Sequence, residues 1–549
     1  MRLQEKPTQS HGDFLSGPAI MLLLTAVAFV LRFVFVQFRV LFSDADAVTY
    51  INYAQGFNFG LSELASSIPI RMGPLYPFLI RLVNEVIGGE LAYSARLVSV
   101  VLGALVVIPF YRLASSLYDD RIAAVASLLL VFSYFMVDIS LNALTESTFV
   151  FFFVLAAHLM VAAYRSHSNV AYFAGGLGLA LSYLVRPEAL LFLPVAVLGG
   201  ILAEWQSKRG VKRGMLGLGS LVVGCMLLTG PYLYLTYERT GKWTISGKAT
   251  NILLQHGVDK SDEYWYEKRF YGLSPDGTEL ARAAGLGARE GNLAAFIKDV
   301  PREIKVLGRN LYAVYRYSLP AIFAPLWLAA MGVAVAVRTA GIVRSRRWSE
   351  MSAELVMAAI VVPYIVIVSL HNLAVRHFAA IIPFLILLSA VGIVEMARLC
   401  TPAVNSRRSV ASVLIVLGAS TLILGLDLRE LSRPVWDPTH NSKSDLMLFK
   451  ETGEWMKANL PPGPTILARK PFIAYYAGGV RTALPFASLD EVLVFAKAQN
   501  VRYMEINTMH VRWRPQLAFL LESEETPEHL TLVKTFSDGA HTLKLYRLD

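Results

Sequence analysis

Two carboxylates, Asp44 and Asp46, follow directly after the first long apolar stretch of the chain, in the run VLFSDADAVTYINY. That stretch covers about residues 17–40 and is long enough to cross a bilayer as one helix. A charge at the end of a span costs less than one at the bilayer centre, and it stays close to the head groups of lipids. An ionised aspartate can accept a proton from an acceptor hydroxyl or amine. The pair therefore indicates general-base chemistry on a substrate carried by a lipid.

The two aspartates differ in what else they could do. If a helix begins near Asp44, then Asp46 and Tyr50 share one of its faces because they are four residues apart. Asp44 could equally be the N-cap of that helix, so capping and catalysis both stay open for it. Asp46 already lies in the first turn, which makes capping the weaker explanation. We expect Asp46 to be the base, with Asp44 as second candidate and Tyr50 as a substrate contact.

Glu146 is a third candidate catalytic acid, in the run ISLNALTESTF at the start of an apolar segment. The helix dipole favours an acid in the first turn, so Glu146 could be an ordinary helix-start residue. It could also face Asp46 across one cavity on the same side of the membrane. The sequence leaves both roles open.

Cations on that same side are the candidate phosphate ligands. Arg186 precedes Pro187 and Glu188 between two spans, and Arg376 with His377 opens a later one. Lys and Arg normally gather on the cytoplasmic side, so a cation on the other side predicts an anionic partner. A guanidinium can bind two phosphate oxygens at once.

Arg71 and Tyr76 belong to the motif RMGPLYP at residues 71–77. By itself the motif is better explained as an interfacial turn with an aromatic anchor. Next to the other cations, Arg71 becomes a further candidate phosphate ligand and Tyr76 a candidate substrate contact.

Composition sets the protein class. Of the 549 residues 55% are hydrophobic and 17% charged, with a mean hydropathy of +0.49. Soluble domains carry about a quarter charged residues, so this is a polytopic membrane protein. The net charge of +10 lies mainly in loops and does not indicate a nucleic-acid partner. We predict about eleven spans, near residues 17–40, 91–111, 121–139, 146–164, 169–185, 187–203, 214–237, 318–337, 353–370, 377–397 and 409–427.

With these spans, every basic connection falls on one side, which the positive-inside rule makes cytoplasmic. The N-terminus is then inside, and the acid pair lies on the outer face of the cytoplasmic membrane. We predict a membrane domain at 1–428, with outer loops at 41–90 and 238–317. Segments 46–59 and 74–88 have the pattern of helices lying along the interface.

The tail at 429–549 has the pattern of a small soluble α/β domain outside the membrane. EWMKANLPPG and LDEVLVFAKAQN predict helices, the first stopped by Pro and Gly. The predicted strands are TILARK, VRYMEI, LTLVKTF and HTLKLYRL.

The order of these motifs resembles the glycosyltransferase-C superfamily of membrane enzymes, and most of all its branch with protein O-mannosyltransferases and the lipid A aminoarabinose transferase. The first span is followed by an acid with a tyrosine four residues later. The further motifs follow in the order RMGPLYPFLIRLVNEVIGG, NALTESTFVFFF, LSYLVRPEALL, RHFAAIIPFLILL and ILARKPFIAYYAGG.

The resemblance implies a polyprenyl-phosphate sugar as donor, an active site on the outer face, inversion at the sugar, and an aspartate base in the first outer loop. That role carries over to Asp46, with Asp44 second. The related branches have an acid directly after this aspartate, whereas Ala47 stands here. Because of this departure, the branch of the superfamily that the chain resembles and the presence of a metal ion at this aspartate both stay open. The acceptor would be a lipid, a glycan or a protein.

The rival interpretations are a transporter or flippase and a non-catalytic protein that binds glycolipid. Transporters usually place charges near the midplane and consist of matching halves, whereas these charges gather at one face. HExxH, CxxC and GxxxxGK[ST] motifs are absent, so no nucleotide cofactor is expected, and a divalent cation stays open.

Overall fold

Apolar helices make up most of the chain up to residue 400, as the hydropathy of the sequence predicts. The computed structural model describes residues 16–38, 44–207, 210–246, 262–281, 300–323, 325–345, 352–371, 375–400, 415–423, 425, 427, 444–523 and 525–549. Within these ranges, six helices are long and apolar enough to cross a membrane, and one bent pair is a seventh candidate. Three shorter apolar helices coincide with further predicted spans. The protein is therefore a multi-pass membrane protein, and the described residues of the predicted span at 409–427, which are 415–423, 425 and 427, are helical.

The described helices up to residue 400 are α1 (Gly17–Val36), α2 (Ala45–Gly56), α3 (Leu61–Ser67), α4 (Leu75–Ile87), α5 (Leu91–Leu105), α6 (Val107–Leu117), α7 (Asp120–Phe132), α8 (Tyr134–Ser140), α9 (Glu146–Ser166), α10 (Asn169–Val185), α11 (Leu193–Ser207), α12 (Val211–Thr240), α13 (Trp265–Tyr271), α14 (Val300–Ala313), α15 (Leu319–Ile322), α16 (Pro325–Ser345), α17 (Ser352–His371) and α18 (Ile382–Cys400). Short 3₁₀ turns at Pro187–Phe192 and Val375–Ile381 lead into α11 and α18.

The span predicted at 121–139 is broken, because α7 and α8 meet at an angle of 56° on either side of Ser133. The last carbonyls of a helix have no partner inside it. Arg32 of α1 is fully buried beside the break, where its Nη1 donates to the Val131 carbonyl and its Nε to Ser140 Oγ, both at 3.2 Å. A buried cation thus supplies hydrogen bonds where the helix ends.

Helices α2 and α4 match the two predicted interfacial helices, and the turn between α3 and α4 is held tightly. A Cβ on Gly73 would lie 2.3 Å from the Val185 carbonyl oxygen, so only glycine fits there. The Tyr232 hydroxyl donates to the carbonyls of Pro69 and Met72, at 3.1 and 3.3 Å. These contacts fix the RMGPLYP turn against the end of α10, one residue before Arg186.

The tail folds as a small α/β domain, which confirms the predicted class. Its strands form one sheet in the order β2-β1-β3-β5-β4, in which β1 pairs in parallel with β2 and β3, and β5 antiparallel with β3 and β4. The sequence pattern missed the short strand β2, which is mostly half-buried. The elements are α19 (Ser444–Asn459), β1 (Thr465–Ala468), α20 (Phe472–Tyr476), β2 (Val480–Ala483), α21 (Leu489–Ala498), β3 (Tyr503–Asn507), α22 (Phe519–Glu522), β4 (Leu530–Ser537) and β5 (Thr542–Leu548).

The chain divides into two compact units, and the second is larger than the tail. The first contains residues 1–39, 50–247 and 301–432, and the second 40–49, 248–300 and 433–549. The described residues 262–281 in the middle of the long outer loop pack Leu273 and Leu280 against the core of the tail domain. The Phe486 backbone N–H also donates to the Tyr271 carbonyl at 2.7 Å. Residues 262–281 therefore fold with the tail, although the sequence pattern assigned them to the membrane domain.

Candidate active site

Glu146 is the centre of a buried ionic cluster in the first unit. It is the first residue of α9, and only 3% of it is exposed. Its Oε1 lies 3.4 Å from Arg186 Nη1 and 3.9 Å from Arg376 Nε. Its Oε2 is also buried and accepts no hydrogen bond from a described residue. Glu146 therefore begins a helix and also holds two of the predicted phosphate ligands close together.

The turns around Glu146 explain its position. Ser99 Oγ donates to the Leu144 carbonyl at 3.3 Å, and Ser147 Oγ donates to Ser140 Oγ at 3.2 Å. A Cβ on Gly103 would lie 2.2 Å from Ser140 Oγ, so α5 approaches α8 closely at this glycine. The start of α9 is thus fixed by short contacts with α5 and α8.

Arg186 stands where α10 ends and the chain turns into the 3₁₀ helix that begins at Pro187. Its Nε donates to Glu188 Oε1 at 2.6 Å, and its guanidinium carbon lies 5.5 Å from the centre of the Phe149 ring. Glu188, to which the sequence pattern gave no functional role, makes the shortest ionic contact of Arg186. His377 is close enough to Glu188 to interact with it electrostatically. Two carboxylates and two arginines therefore gather within one cluster.

The two predicted substrate contacts, Tyr50 and Tyr76, pack against each other with ring centres 5.4 Å apart. Tyr76 is wholly buried, and its hydroxyl donates to the Ala95 carbonyl at 3.0 Å and lies 3.1 Å from Ser99 Oγ. Burial raises the pKa of the Tyr76 phenol. Both rings contribute to packing, and Tyr50 also interacts electrostatically with Arg186. A substrate contact by either tyrosine stays a prediction.

Arg71 is exposed in the RMGPLYP turn. Burial raises the pKa of the Tyr53 phenol in α2, and the nearby charge of Arg71 opposes that rise. No described contact joins Arg71 to Glu146. Arg71 therefore lies beside α2, and phosphate binding by this residue stays a prediction.

Asp44 is the cap of α2, one of the two roles that the sequence left open. Its Oδ1 accepts the backbone N–H of Asp46 at 2.9 Å, and its carbonyl accepts that of Ala47 at 3.1 Å. Both aspartates belong to the second unit and lie near Lys470. Burial and the neighbouring Arg469 lower the pKa of Lys470, and the two carboxylates oppose this shift. A cation of the tail domain is thus close to the predicted base.

The second unit also contains a buried ionic cluster that the sequence pattern did not predict. Glu267 of α13 is 1% exposed, and its two oxygens accept from Arg469 Nη2 at 2.6 Å and Arg514 Nη1 at 2.5 Å. In the sequence, Glu267 is visible only as an acid among the aromatic residues of YWYEKRF. This local pattern does not identify partners that lie more than two hundred residues away in the chain. Among the described residues, no group of three or more His, Cys, Asp or Glu side chains is placed to hold a metal ion.

Comparison with known proteins finds one family that matches part of the chain. Residues 71–235 match the family of dolichyl-phosphate-mannose-protein mannosyltransferases. That segment contains the RMGPLYP turn, Glu146 and Arg186. No curated protein matches the sequence.

Two solved structures share the fold over most of the chain. The apo oligosaccharyltransferase of Archaeoglobus fulgidus superimposes with a TM-score of 0.58 at 13% identity, over 92% of this chain and 71% of that one. ArnT from Cupriavidus metallidurans, bound to undecaprenyl phosphate, gives 0.57 at 14% identity, over 95% of this chain and 97% of that one. The chain therefore shares its fold with these two structures, and its residues 71–235 are similar to the mannosyltransferase family.

Proposed function

We propose that the protein transfers a sugar from a polyprenyl-phosphate donor to a lipid, glycan or protein acceptor on the outer face of the cytoplasmic membrane. The observation that carries this proposal is the pair Arg186 and Arg376 around the buried Glu146. The matched mannosyltransferase family is named for a dolichyl-phosphate sugar, and the similar ArnT structure holds undecaprenyl phosphate. Both support a donor of this chemical class.

The arginines differ in how readily they can bind a phosphate. Arg186 is held at 2.6 Å by Glu188, so its position is set by the protein. Arg376 is 26% exposed in its side chain, and its 3.9 Å contact with Glu146 is too long for a hydrogen bond. A phosphate can therefore compete with Glu146 for Arg376, while Arg186 and His377 add positive charge. Phosphate binding by Arg71 belongs to the same proposal.

Asp46 is the general base of the proposed reaction. It lies in the first turn of α2, and Tyr50 lies one turn further along the same helix. The acceptor oxygen or nitrogen attacks the anomeric carbon and gives its proton to Asp46. The bond from that carbon to the phosphate oxygen breaks, and polyprenyl phosphate leaves with the electron pair. A single displacement of this kind inverts the anomeric centre. The cations stabilise the negative charge of the departing phosphate.

Comparison of two isosteric variants, Asp46→Asn and Asp44→Asn, tests the base assignment. The purified full chain is given a panel of undecaprenyl-phosphate hexoses and pentoses together with lipid, glycan and peptide acceptors, and mass spectrometry follows both the glycosylated acceptor and the release of undecaprenyl phosphate. Loss of a general base typically lowers the rate about a hundred- to ten-thousand-fold, which we expect for Asp46→Asn. Asn is also a good N-cap, so Asp44→Asn should stay close to the unmodified protein. Normal release by Asp46→Asn would reject the assignment, and a severe loss only in Asp44→Asn would move the base by two residues.

A further inference from the structure

Helix α14 and the turn after it present three distinct faces. The helix continues through a π-helical turn at Val314–Ser318 and the short α15 towards the apolar α16. One face packs on the protein, where Asn310 Nδ2 donates to the Ser369 carbonyl at 2.6 Å and Val314 is buried. The other two faces are exposed.

The second face is apolar although it is exposed. Ile304, Leu311 and Tyr315 recur at helical spacing and are 63%, 37% and 72% exposed. Two further tyrosines of this segment are exposed, Tyr312 at 61% and Tyr317 at 63%, and Tyr312 is aligned with Lys305 by its spacing of seven residues. A cluster of large apolar side chains on the surface marks contact with a partner or a membrane.

The third face is a basic stripe formed by Lys305, Arg309 and Arg316. Their spacing of four and seven residues aligns them along one side of a helix, and all three are exposed. No carboxylate of the described chain contacts them. The guanidinium of Arg316 instead lies 5.4 Å from the centre of the Tyr317 ring.

We propose that α14 and the turn after it lie in the membrane interface and that the basic stripe binds the phosphate groups of anionic phospholipids. An amphipathic helix with cations on its polar face is typical of such a position. Tyrosines are enriched at this depth because the ring is apolar and the hydroxyl is polar. The helix also leads directly towards an apolar span, which keeps it near the bilayer. These arguments favour a lipid surface over a protein partner, and they do not depend on the proposed reaction.

Spin labels on two aliphatic positions of similar exposure test the location of the helix. Ile304→Cys probes the apolar face, and Val494→Cys, at 54% exposure in the tail domain, is the matched control. Both are made in a Cys400→Ser background, because Cys225 is buried and Cys400 is exposed. The full chain is placed in nanodiscs of phosphatidylcholine with 30% phosphatidylglycerol.

We expect the Ile304→Cys label to be accessible to oxygen and protected from a water-soluble nickel chelate, with the reverse for Val494→Cys. Equal nickel accessibility at both positions would overturn the proposal. Protection of the Ile304→Cys label from both reagents would also overturn it, because that pattern indicates a protein partner.

A charge-matched pair of triple variants tests the basic stripe. K305Q/R309Q/R316Q removes the stripe, and K457Q/K497Q/R502Q removes three exposed cations from the tail domain. Spin-labelled phosphatidylglycerol and spin-labelled phosphatidylcholine are compared, and the measured quantity is the preference of phosphatidylglycerol for the protein surface. Each cation close to an anionic surface raises binding about fivefold, so only the first variant should lose most of this preference. An unchanged preference, or the same loss in both variants, would contradict the proposal.

Discussion

Buried acids in this protein differ in whether their closest contact is an opposite charge or a neutral group. Glu146 and Glu267 each lie between two arginines, so opposite charge offsets the cost of removing them from water. Glu505 in β3 is equally buried, but its shortest contact is with the neutral amide of Asn507, at 2.5 Å. The paired acids organise the structure around them, whereas Glu505 makes it sensitive to pH.

Arg376 gives the cleanest test of donor binding, because it makes the longer contact in the Glu146 cluster. We expect Arg376→Ala to weaken binding of undecaprenyl phosphate at least tenfold, since a charge-assisted hydrogen bond to phosphate is lost. Arg398→Ala, at the other end of the same apolar segment Val375–Cys400, is the matched control. Binding is measured by isothermal titration of the purified full chain. Equal affinities in the two variants would leave Arg376 a structural residue.

Glu505 predicts a pH effect of definite sign in the tail domain. Burial raises the pKa of Glu505 from 4.5 to about 7, although hydrogen bonds from Asn507 and the Arg469 backbone oppose the rise. Between these values the folded state holds a proton that the unfolded state has released, so stability falls as pH rises. Glutamine stays neutral throughout. Glu505→Gln should therefore gain up to about 3 kcal/mol over the unmodified protein between pH 5 and pH 8.

Hydrogen exchange of the β3 peptide in the full chain, corrected for intrinsic rates, measures this difference. Burial and nearby cations lower the pKa of His510 to about 3, which makes stability rise with pH between that value and 6.5. Because His510 is present in both proteins, its contribution cancels. Exposed Glu528→Gln should show no differential effect. A Glu505→Gln gain that is the same at both pH values would disprove the assignment.

At the scale of elements, the protein joins segments that are distant in the chain through a few buried polar groups. Arg32 of α1 supplies hydrogen bonds at the break between α7 and α8. Glu267 joins α13 to the arginines that follow β1 and β3. Residues 262–281 of the outer loop are thereby part of the α/β domain, and removing this one acid should affect both segments.

Glu267→Gln tests that link. The change leaves two arginines, Arg469 and Arg514, without their shared carboxylate in a buried place, which typically costs about 3–5 kcal/mol. We expect faster hydrogen exchange in both 262–281 and the β3 peptide of the full chain. Glu279→Gln, an exposed acid of the same loop, should change stability by less than about 0.5 kcal/mol. If the two variants exchange alike, the link is not structural.

At the scale of the whole molecule, the one-sided distribution of Lys and Arg predicts that the N-terminus is cytoplasmic and the tail outside. The two native cysteines make a direct test possible. Cys400 is exposed at the end of α18 on the predicted cytoplasmic side, and Ala540 is exposed in the tail domain. In intact cells, an impermeant maleimide should label Ala540→Cys and leave Cys400 unlabelled until lysis. Labelling of Cys400 alone would show that the topology is the opposite of the predicted one.

Local sequence patterns specify the class of the protein and most of its elements. Spans, interfacial helices and the strands of the tail follow from local hydrophobic periodicity, which is visible in one short window at a time. Asp44 and Asp46 were also recognisable locally, because their place after the first span and their distance from a helix start are matters of spacing.

Which charged side chains contact each other depends on the tertiary fold. Glu146, Arg186 and Arg376 come from separate segments, and nothing in the spacing of one segment encodes the position of another. The same holds for Glu267 with Arg469 and Arg514. Arg32 was hidden for a related reason, since one cation in an apolar run hardly changes its hydropathy. The physical cause is common to all of them: a buried charge is stabilised by whatever the fold brings within a few ångströms, and chain folding rather than sequence distance determines that neighbour.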